Sequence, residues 1–465
     1  MDGSVLMKHI CIIGSSFLWS KTLLGDLLAK FEDEALEVRF LDIVDEHAQI
    51  CKALGEAASK AYGREKDRYL ALTDRRKALD GADAVLITIS TGGLEAMSHD
   101  LSIPEKYGIF ATVGDTAGAG GWSRSVRNIP VFMDFAKDIR EMCPGAFIAN
   151  YTNPMSTLTA TLSLLTDNPV SGFCHAYFEI KDVIQELFGL EDWSKISVEI
   201  AGMNHFTWVT DFRIANQDGY KLLREKVGKG SLGDLTPKGS SDEIGIYSGH
   251  DLCIELYDAF GYLPYPADRH TSEFLSFTLS HNPAMHKKID QEGNQLDVLD
   301  YCGMIRTPIS VRVKSAQSSR QNMLDAIEDL KTHMNVELKK SRETGSDMIW
   351  AYLNNKTVMD AVNTLNIGQI EGLPLGTCVE TMGAVDGFGV RPVMVKHVPD
   401  QLLEIMRPQA VCTKWIVEGM LNGDKQKLLQ ALYRDPQCAH LKLGDIKNMA
   451  EELIAANRRY VKLPL

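Results

Sequence analysis

Three observations on this 465-residue chain predict an α/β fold. Short runs of β-favouring residues alternate with helical patterns through the first third of the sequence. Each of those runs stops at a small or polar residue, the pattern of a parallel sheet whose C-terminal edge forms a ligand crevice. Past about residue 195 the texture changes to short strands mixed with long helical stretches. The expected architecture is therefore a Rossmann-like, doubly wound parallel sheet over 1–195, followed by a mixed, helix-rich α+β domain over 196–465.

Residues 8–13, Lys-His-Ile-Cys-Ile-Ile, give a first strand that ends at Gly14, with Ser15 and Ser16 in the turn. Leu23, Leu24, Leu27 and Leu28 follow at helical spacing. The run 36–41 is a second strand ending at Asp42, where an acidic side chain grips a ribose diol in dinucleotide folds. A third strand over 84–89 runs into Ser90-Thr91-Gly92, and a fourth over 146–149 runs into Asn150-Tyr-Thr-Asn153-Pro154. Gly14, Ser15, Ser16, Asp42, Ser90, Thr91, Gly92 and Asn150 are thus the candidates for holding a dinucleotide. Backbone amides at the Gly14 turn can face a pyrophosphate at a helix N-terminus. The turn lacks the later glycines of G-x-G-x-x-G, and strand–Gly–helix turns also occur without a ligand. The amides of Asn150 and Asn153 can bridge a cofactor and a sugar hydroxyl, or close an Asx-turn before Pro154.

In the second half, 198–202 and 207–212 read as short strands. A polar stretch rich in Gly, Lys and Ser at 226–243 reads as a surface loop or lid. Helical patterns lie around 251–260, 315–343 and 443–458. There is no internal repeat, coiled-coil heptad or low-complexity tract.

Composition is that of a globular protein, 45% hydrophobic and 24% charged. The formal charge of −13, with no Lys/Arg cluster, argues against nucleic-acid and anionic-membrane partners. The nine cysteines are odd in number and have no CxxC spacing, which fits a reducing compartment rather than a disulfide framework. One short apolar run near the start, ending at Gly14, matches neither a secretory signal nor a membrane span, so the expected location is the cytoplasm.

Four strings carry candidate chemistry. Cys174 sits in Gly-Phe-Cys-His, and His205 in Ala-Gly-Met-Asn-His. A thiol and an imidazole suit a borderline-soft divalent metal. A buried cysteine and a satisfied core histidine are the plain alternative. Asp115 stands in a segment carrying Gly114, Gly118, Gly120 and Gly121, where backbone can approach a ligand closely or simply turn at the surface. The run 262–274 gathers Tyr265, Asp268, Arg269, His270 and Glu273 beside two prolines, a candidate acid/base loop or a solvated charged turn.

Taken in order, these strings resemble glycoside hydrolase family 4, the NAD- and metal-dependent glycosidases. The resemblance covers most of the chain. It runs through the opening Ile-Ile-Gly, Asp42, Asn-Pro-Met at 153–155, Gly-Phe-Cys-His and Ala-Gly-Met-Asn-His, then through 366–374 and Leu-Tyr-Arg-Asp-Pro at 432–436. The turn after the first strand is a residue shorter than the family's glycine–serine turn, which bears on the dinucleotide's pose and affinity. A histidine after the cysteine resembles members acting on unphosphorylated glucosides, galactosides or uronides, whereas Asp or Asn there resembles the 6-phosphoglycosidases.

The resemblance implies a redox-assisted elimination instead of paired carboxylates. NAD would take hydride from C3 of the sugar and return it within each cycle, while Mn²⁺ or another divalent metal on Cys174 and His205 polarises the C3 oxygen. Asp268, or failing that Tyr265, would remove the C2 proton, and His175 would protonate the leaving oxygen. Asp115, Asn153 and His175 would hold sugar hydroxyls, with Arg269 or His270 reading the substituent at C5. An arginine facing a carboxylate would favour a uronide. The family resemblance also implies a homodimer or homotetramer. Two alternatives share the first-domain pattern: a malate- or lactate-type 2-hydroxy-acid dehydrogenase, which needs no Cys/His pair, and a non-catalytic NAD-binding regulator.

Overall fold

A computed structural model describes residues 7–235, 250–279, 283–332 and 340–461. Fifteen strands are present in chain order: β1 (Lys8–Ile13), β2 (Leu36–Leu41), β3 (Arg68–Leu72), β4 (Ala84–Ile87), β5 (Phe147–Asn150), β6 (Val170–Gly172), β7 (Ile196–Met203), β8 (Phe206–Ile214), β9 (Gln217–Asp218), β10 (Met285–Ile289), β11 (Gln295–Leu299), β12 (Ile305–Arg306), β13 (Val358–Leu365), β14 (Cys378–Asp386) and β15 (Gly389–Pro392).

The first six strands pair in parallel in the order β3-β2-β1-β4-β5-β6, the doubly wound arrangement expected. Alternation along β1 explains why the sheet is covered on both faces. Cys11 and Ile13 join Val85, Ile87 and Ile148 under helix Gly118–Met142. Ile10 and Ile12 join Val38, Phe40, Leu86 and Phe147 on the opposite face, under helices Ser20–Lys30 and Asp45–Ala61. Each fully buried aliphatic or aromatic side chain there contributes about 1.5–3 kcal/mol.

In the parallel half β3 and β6 escape the sequence pattern, and in the second half β9 to β15 were not anticipated. β3 is an edge strand whose Arg68 and Leu70 are exposed, so it lacks a continuous apolar run. β6 is only Val-Ser-Gly, too short to show any period. The strands expected over 84–89 and 146–149 end at Ile87 and begin at Phe147.

The second half extends the same sheet with antiparallel strands. Asn363 of β13 pairs with Gly172 of β6, and the order continues β13-β14-β7-β8-β9, with β15 on β14. β10, β11 and β12 make a separate antiparallel sheet. Helices from this half return to cover the parallel strands: Met323 and Ile327 of helix Ile309–Thr332 enter one core, and Met449 and Leu453 of helix Leu443–Ala456 the other. The helix expected over 315–343 thus starts at Ile309 and ends at Thr332; residues 333–339 lie outside the described residues, and 340–343 are not helical. Of the expected loop at 226–243, helix Gly219–Val227 and a short turn at Leu232–Asp234 are seen, and 236–243 lie outside the described residues. Among the described residues no helix is long and apolar enough to cross a membrane.

Candidate active site

The C-terminal ends of β1, β2 and β4 converge as expected. Gly14 has φ +91°, and a Cβ there would lie 2.5 Å from the Thr88 carbonyl oxygen, so only glycine fits. Thr88 Oγ1 donates to the Gly14 carbonyl at 2.6 Å. Asp42 accepts the amides of Ser15 and Val44, both at 2.9 Å, and so ties the end of β2 to the turn after β1. Ser16 closes that turn through its amide to the Gly14 carbonyl. Ser90, Thr91 and Gly92 lead into helix Gly93–Glu105, and Arg127, bidentate on Asp100 in a fully buried pair, also holds the Thr91 carbonyl at 2.9 Å. Asn150 departs from its expected role. Its amide is spent inside the chain, accepting from the Thr152 amide at 2.9 Å and donating to Thr159 Oγ1 at 3.0 Å, so it braces the strand end rather than facing a cofactor.

A second group lies where β7 turns into β8. His205 has φ +67° in that tight turn, is 5% exposed, and places Nδ1 2.9 Å from Thr116 Oγ1. The glycine-rich approach to Thr116 has a steric cause, because a Cβ on Gly121 would lie 2.3 Å from the Thr116 carbonyl carbon. The His205 ring meets that of His270 at 3.9 Å and stacks on Tyr265 at 5.9 Å. Ligating atoms of Asp115, His205 and His270 all lie within 4.8 Å of one another. Two of these residues were expected to hold sugar and not metal. Cys174 stands apart from that trio, in the turn between β6 and helix Ala176–Phe188, with Asn204, Tyr265, Glu179 and Glu380 as neighbours.

The electrostatics suit a cation. Burial lowers His205 to about 4, and His270 falls well below the usual histidine range through burial and His205, so both imidazoles are neutral. Burial would raise Asp115, but its neighbours lower it, and with both imidazoles neutral the Arg124 guanidinium is the lasting positive charge that keeps the carboxylate ionised. Burial and Glu380 raise the Cys174 thiol, which a bound cation would reverse. Beside it the fully buried Asn204 amide lies within reach of the thiol and lowers it slightly. Two neutral imidazoles and a carboxylate, with a thiol set apart from them beyond Tyr265, are donors that fit a borderline-soft divalent ion.

The acid/base candidates separate. Asp268 is buried, and its two oxygens accept the amides of Leu252 at 2.8 Å and Cys253 at 3.1 Å, at the N-terminus of helix Asp251–Phe260. Burial pushes it up to about 8, and the charges that act on it are Asp251 and Glu255, not the histidine cluster. Its place is that of a helix anchor, which corrects its expected role as base. Tyr265 instead lies against His205, with its phenol on Glu179; burial, Glu179 and Cys174 keep it protonated in the free protein. His175 places Nδ1 2.7 Å from Glu343 and stacks on Trp19.

Asn153, in a cis peptide with Pro154, donates to Asp115 at 3.2 Å, so these two expected sugar-holding residues do meet. Arg269 is buried and donates to Thr307 Oγ1 at 3.0 Å, bracing the loop below the site, which corrects its expected role as reader of the C5 substituent. Arg124 and Arg312 were not anticipated, while Glu273, part of the titratable run 262–274, has a supporting place. Glu273 accepts the amides of Val113 and Gly114 at 2.7 Å and so sets the loop that presents Asp115. Arg124 reaches the Asn153 carbonyl at 3.1 Å. Arg312 lies near Asp115, Arg124 and Glu273 and has a buried Nη2 with no partner among the described residues. Neither Arg124 nor Arg312 sits in a periodic or motif-like string.

A model described as family 4 glycosyl hydrolase matches residues 9–190, and one for the C-terminal domain of that family matches 200–438. An α-galacturonidase of Thermoanaerobacterium saccharolyticum is 30% identical over 99% of this chain and 98% of its own length. An α-galactosidase of Bacillus subtilis is 28% identical over 97% and 98%. Among solved structures, the Bacillus subtilis protein lplD superposes with a TM-score of 0.83 at 27% identity, covering 96% of this chain and all of that one. A Thermotoga maritima 6-phospho-β-glucosidase, solved with manganese, NAD⁺ and glucose-6-phosphate, gives 0.72 at 21% over 98% of this chain and all of its own. A dinucleotide-type sheet with a metal-fitting cluster at its edge, together with these matches, defines a glycoside hydrolase of the NAD- and metal-dependent kind. The chain belongs to glycosyl hydrolase family 4.

Proposed function

We propose that this glycosidase cleaves unphosphorylated hexuronides, galacturonides first, by oxidation at C3, deprotonation at C2 and elimination of the aglycone. The observation that carries this reading is the cluster of Asp115, His205 and His270 at the edge of a dinucleotide-type sheet, with Tyr265 against His205 and Cys174 on the far side of Tyr265. The uronide is supported by the buried, unpartnered Arg312 Nη2 close to Arg124 and by the α-galacturonidase relatives. A buried guanidinium nitrogen left without a hydrogen-bond partner is costly, and a substrate carboxylate would satisfy it.

When bound, NAD⁺ on the Gly14 turn supplies a hydride acceptor for C3, and a divalent metal, Mn²⁺, on Cys174 and His205 supplies a Lewis acid. Thr116 engages His205 Nδ1, which orients the ring and leaves Nε2 for the ion; Asp115 and His270 are near enough to complete the donor set. Tyr265 takes the C2 proton. Glu179 stands ready to receive the phenolic proton as the cation draws it off. His175 gives a proton to the glycosidic oxygen, and Asn153 and Asp115 hold sugar hydroxyls. Arg312 and Arg124 hold the carboxylate. Residues 1–195 serve the dinucleotide, and 196–465 serve metal, substrate and oligomer contacts. We place the enzyme in the cytoplasm, where its nine unpaired cysteines stay reduced, as a homodimer or homotetramer.

The test is aryl α- and β-galacturonides and galactosides with NAD⁺, Mn²⁺ and reductant, following aglycone release and absorbance of NADH. Release without net NADH, faster for a galacturonide, is expected. No release from any glycoside or uronide, with or without metal, overturns the reading. Net NADH from a 2-hydroxy acid would point to the dehydrogenase instead.

A further inference from the structure

Glu343 reaches the site from a remote stretch of chain. It precedes helix Gly345–Leu353 and is 5% exposed. Its Oε1 lies 2.7 Å from His175 Nδ1, while the imidazole itself is half exposed. The Trp19 indole lies over the same ring at 5.4 Å and 19°, and Phe178 meets its edge at 6.5 Å. The segment that delivers Glu343 is itself anchored. Ser341 donates from both its amide and its hydroxyl to Asp26 at 2.6 Å, and Arg342 pairs with Asp182 on the helix that His175 begins. A carboxylate on one ring nitrogen and an indole on one face leave a single polar atom of the ring, Nε2, unengaged among the described residues.

We propose that Glu343 is a positioning residue that fixes the His175 imidazole so that Nε2 is the nitrogen meeting the glycosidic oxygen. The inference rests on the role given above to His175. A carboxylate accepting from Nδ1–H selects the tautomer and orientation of a working histidine, as an aspartate does in hydrolase triads. In the elimination the C2–H pair becomes the C1–C2 double bond and the C1–O pair leaves with the oxygen. That oxygen takes the proton from Nε2, and His175 recovers one from the water that adds at C1. Glu343 neither gains nor loses a proton.

The test compares a p-nitrophenyl glycoside, whose leaving group needs little protonation, with a methyl glycoside of the same sugar, whose leaving group needs it. Glu343→Met fills the space without an acceptor, and Glu343→Gln keeps an oxygen able to accept from Nδ1–H. Met should lower kcat on the methyl glycoside about tenfold or more, with KM, NAD⁺ binding and the p-nitrophenyl rate near wild type; Gln should stay within about threefold. Equal behaviour of Met and Gln, or an equal loss on both substrates, overturns the proposal. His175→Ala reports separately on the underlying role: an unchanged methyl glycoside rate removes His175 from the mechanism whatever Glu343 does.

Discussion

The two halves of the central sheet contribute to the site in different ways. The parallel half offers strand ends, where Gly14, Asp42 and the Ser90 turn lie side by side because consecutive strands are neighbours. The antiparallel half offers a hairpin turn, His205 between β7 and β8, and draws in side chains from distant loops and helices: Asp115, Tyr265, His270 and Arg312. The first kind of site is written in strand–turn patterns. The second is assembled by packing, and so it carries the chemistry while leaving little local trace.

Substitutions can break that contrast, the largest effects first. Cys174→Ser should remove turnover while NAD⁺ binding, seated on the parallel half, persists in a titration; full activity would refute the metal assignment. Tyr265→Phe should lower kcat on the order of a hundredfold to ten-thousandfold. Asp268→Asn should leave kcat near wild type and cost about 1–2 kcal/mol in thermal unfolding, because it weakens a helix anchor. A reversal of those two outcomes would restore Asp268 as the base. Arg312→Met should raise KM for a galacturonide by roughly tenfold to a hundredfold, about 1.5–3 kcal/mol, and spare the galactoside.

A smaller effect concerns the metal-free protein. His205 is lowered from 6.5 to about 4, so its contribution to stability is present above pH 6.5 and is lost as pH falls towards 4. Between about pH 7.5 and about pH 5 this amounts to about 2 kcal/mol. His205→Gln should flatten that part of the unfolding profile, and an unchanged slope would contradict the burial of a neutral imidazole.

How much was legible in the chain follows the same division. Gly14, Asp42 and the strands around them stand out because apolar runs ending in turn residues are local signals. Cys174 and His205 were singled out through the strings that carry them and the separation of those strings, whereas the structure groups His205 with Asp115 and His270. Asp268 misled because a buried acid that anchors a helix and an acid that takes a proton look alike in sequence; only the amides of Leu252 and Cys253 tell them apart. Asn150 misled in the same way, its amide closing a turn. Glu273 was noticed only as one of a titratable run, and Arg312 and Glu343 could not be read at all, since each acts on residues more than a hundred positions away.

The central claim is that the bond at C1 breaks by elimination after chemistry at C3 and C2. The direct measurement is the rate of aglycone release from an aryl glycoside carrying deuterium at C2 or at C3. The account predicts a primary isotope effect at one or both positions; its absence at both, with direct displacement at C1 intact, would contradict it.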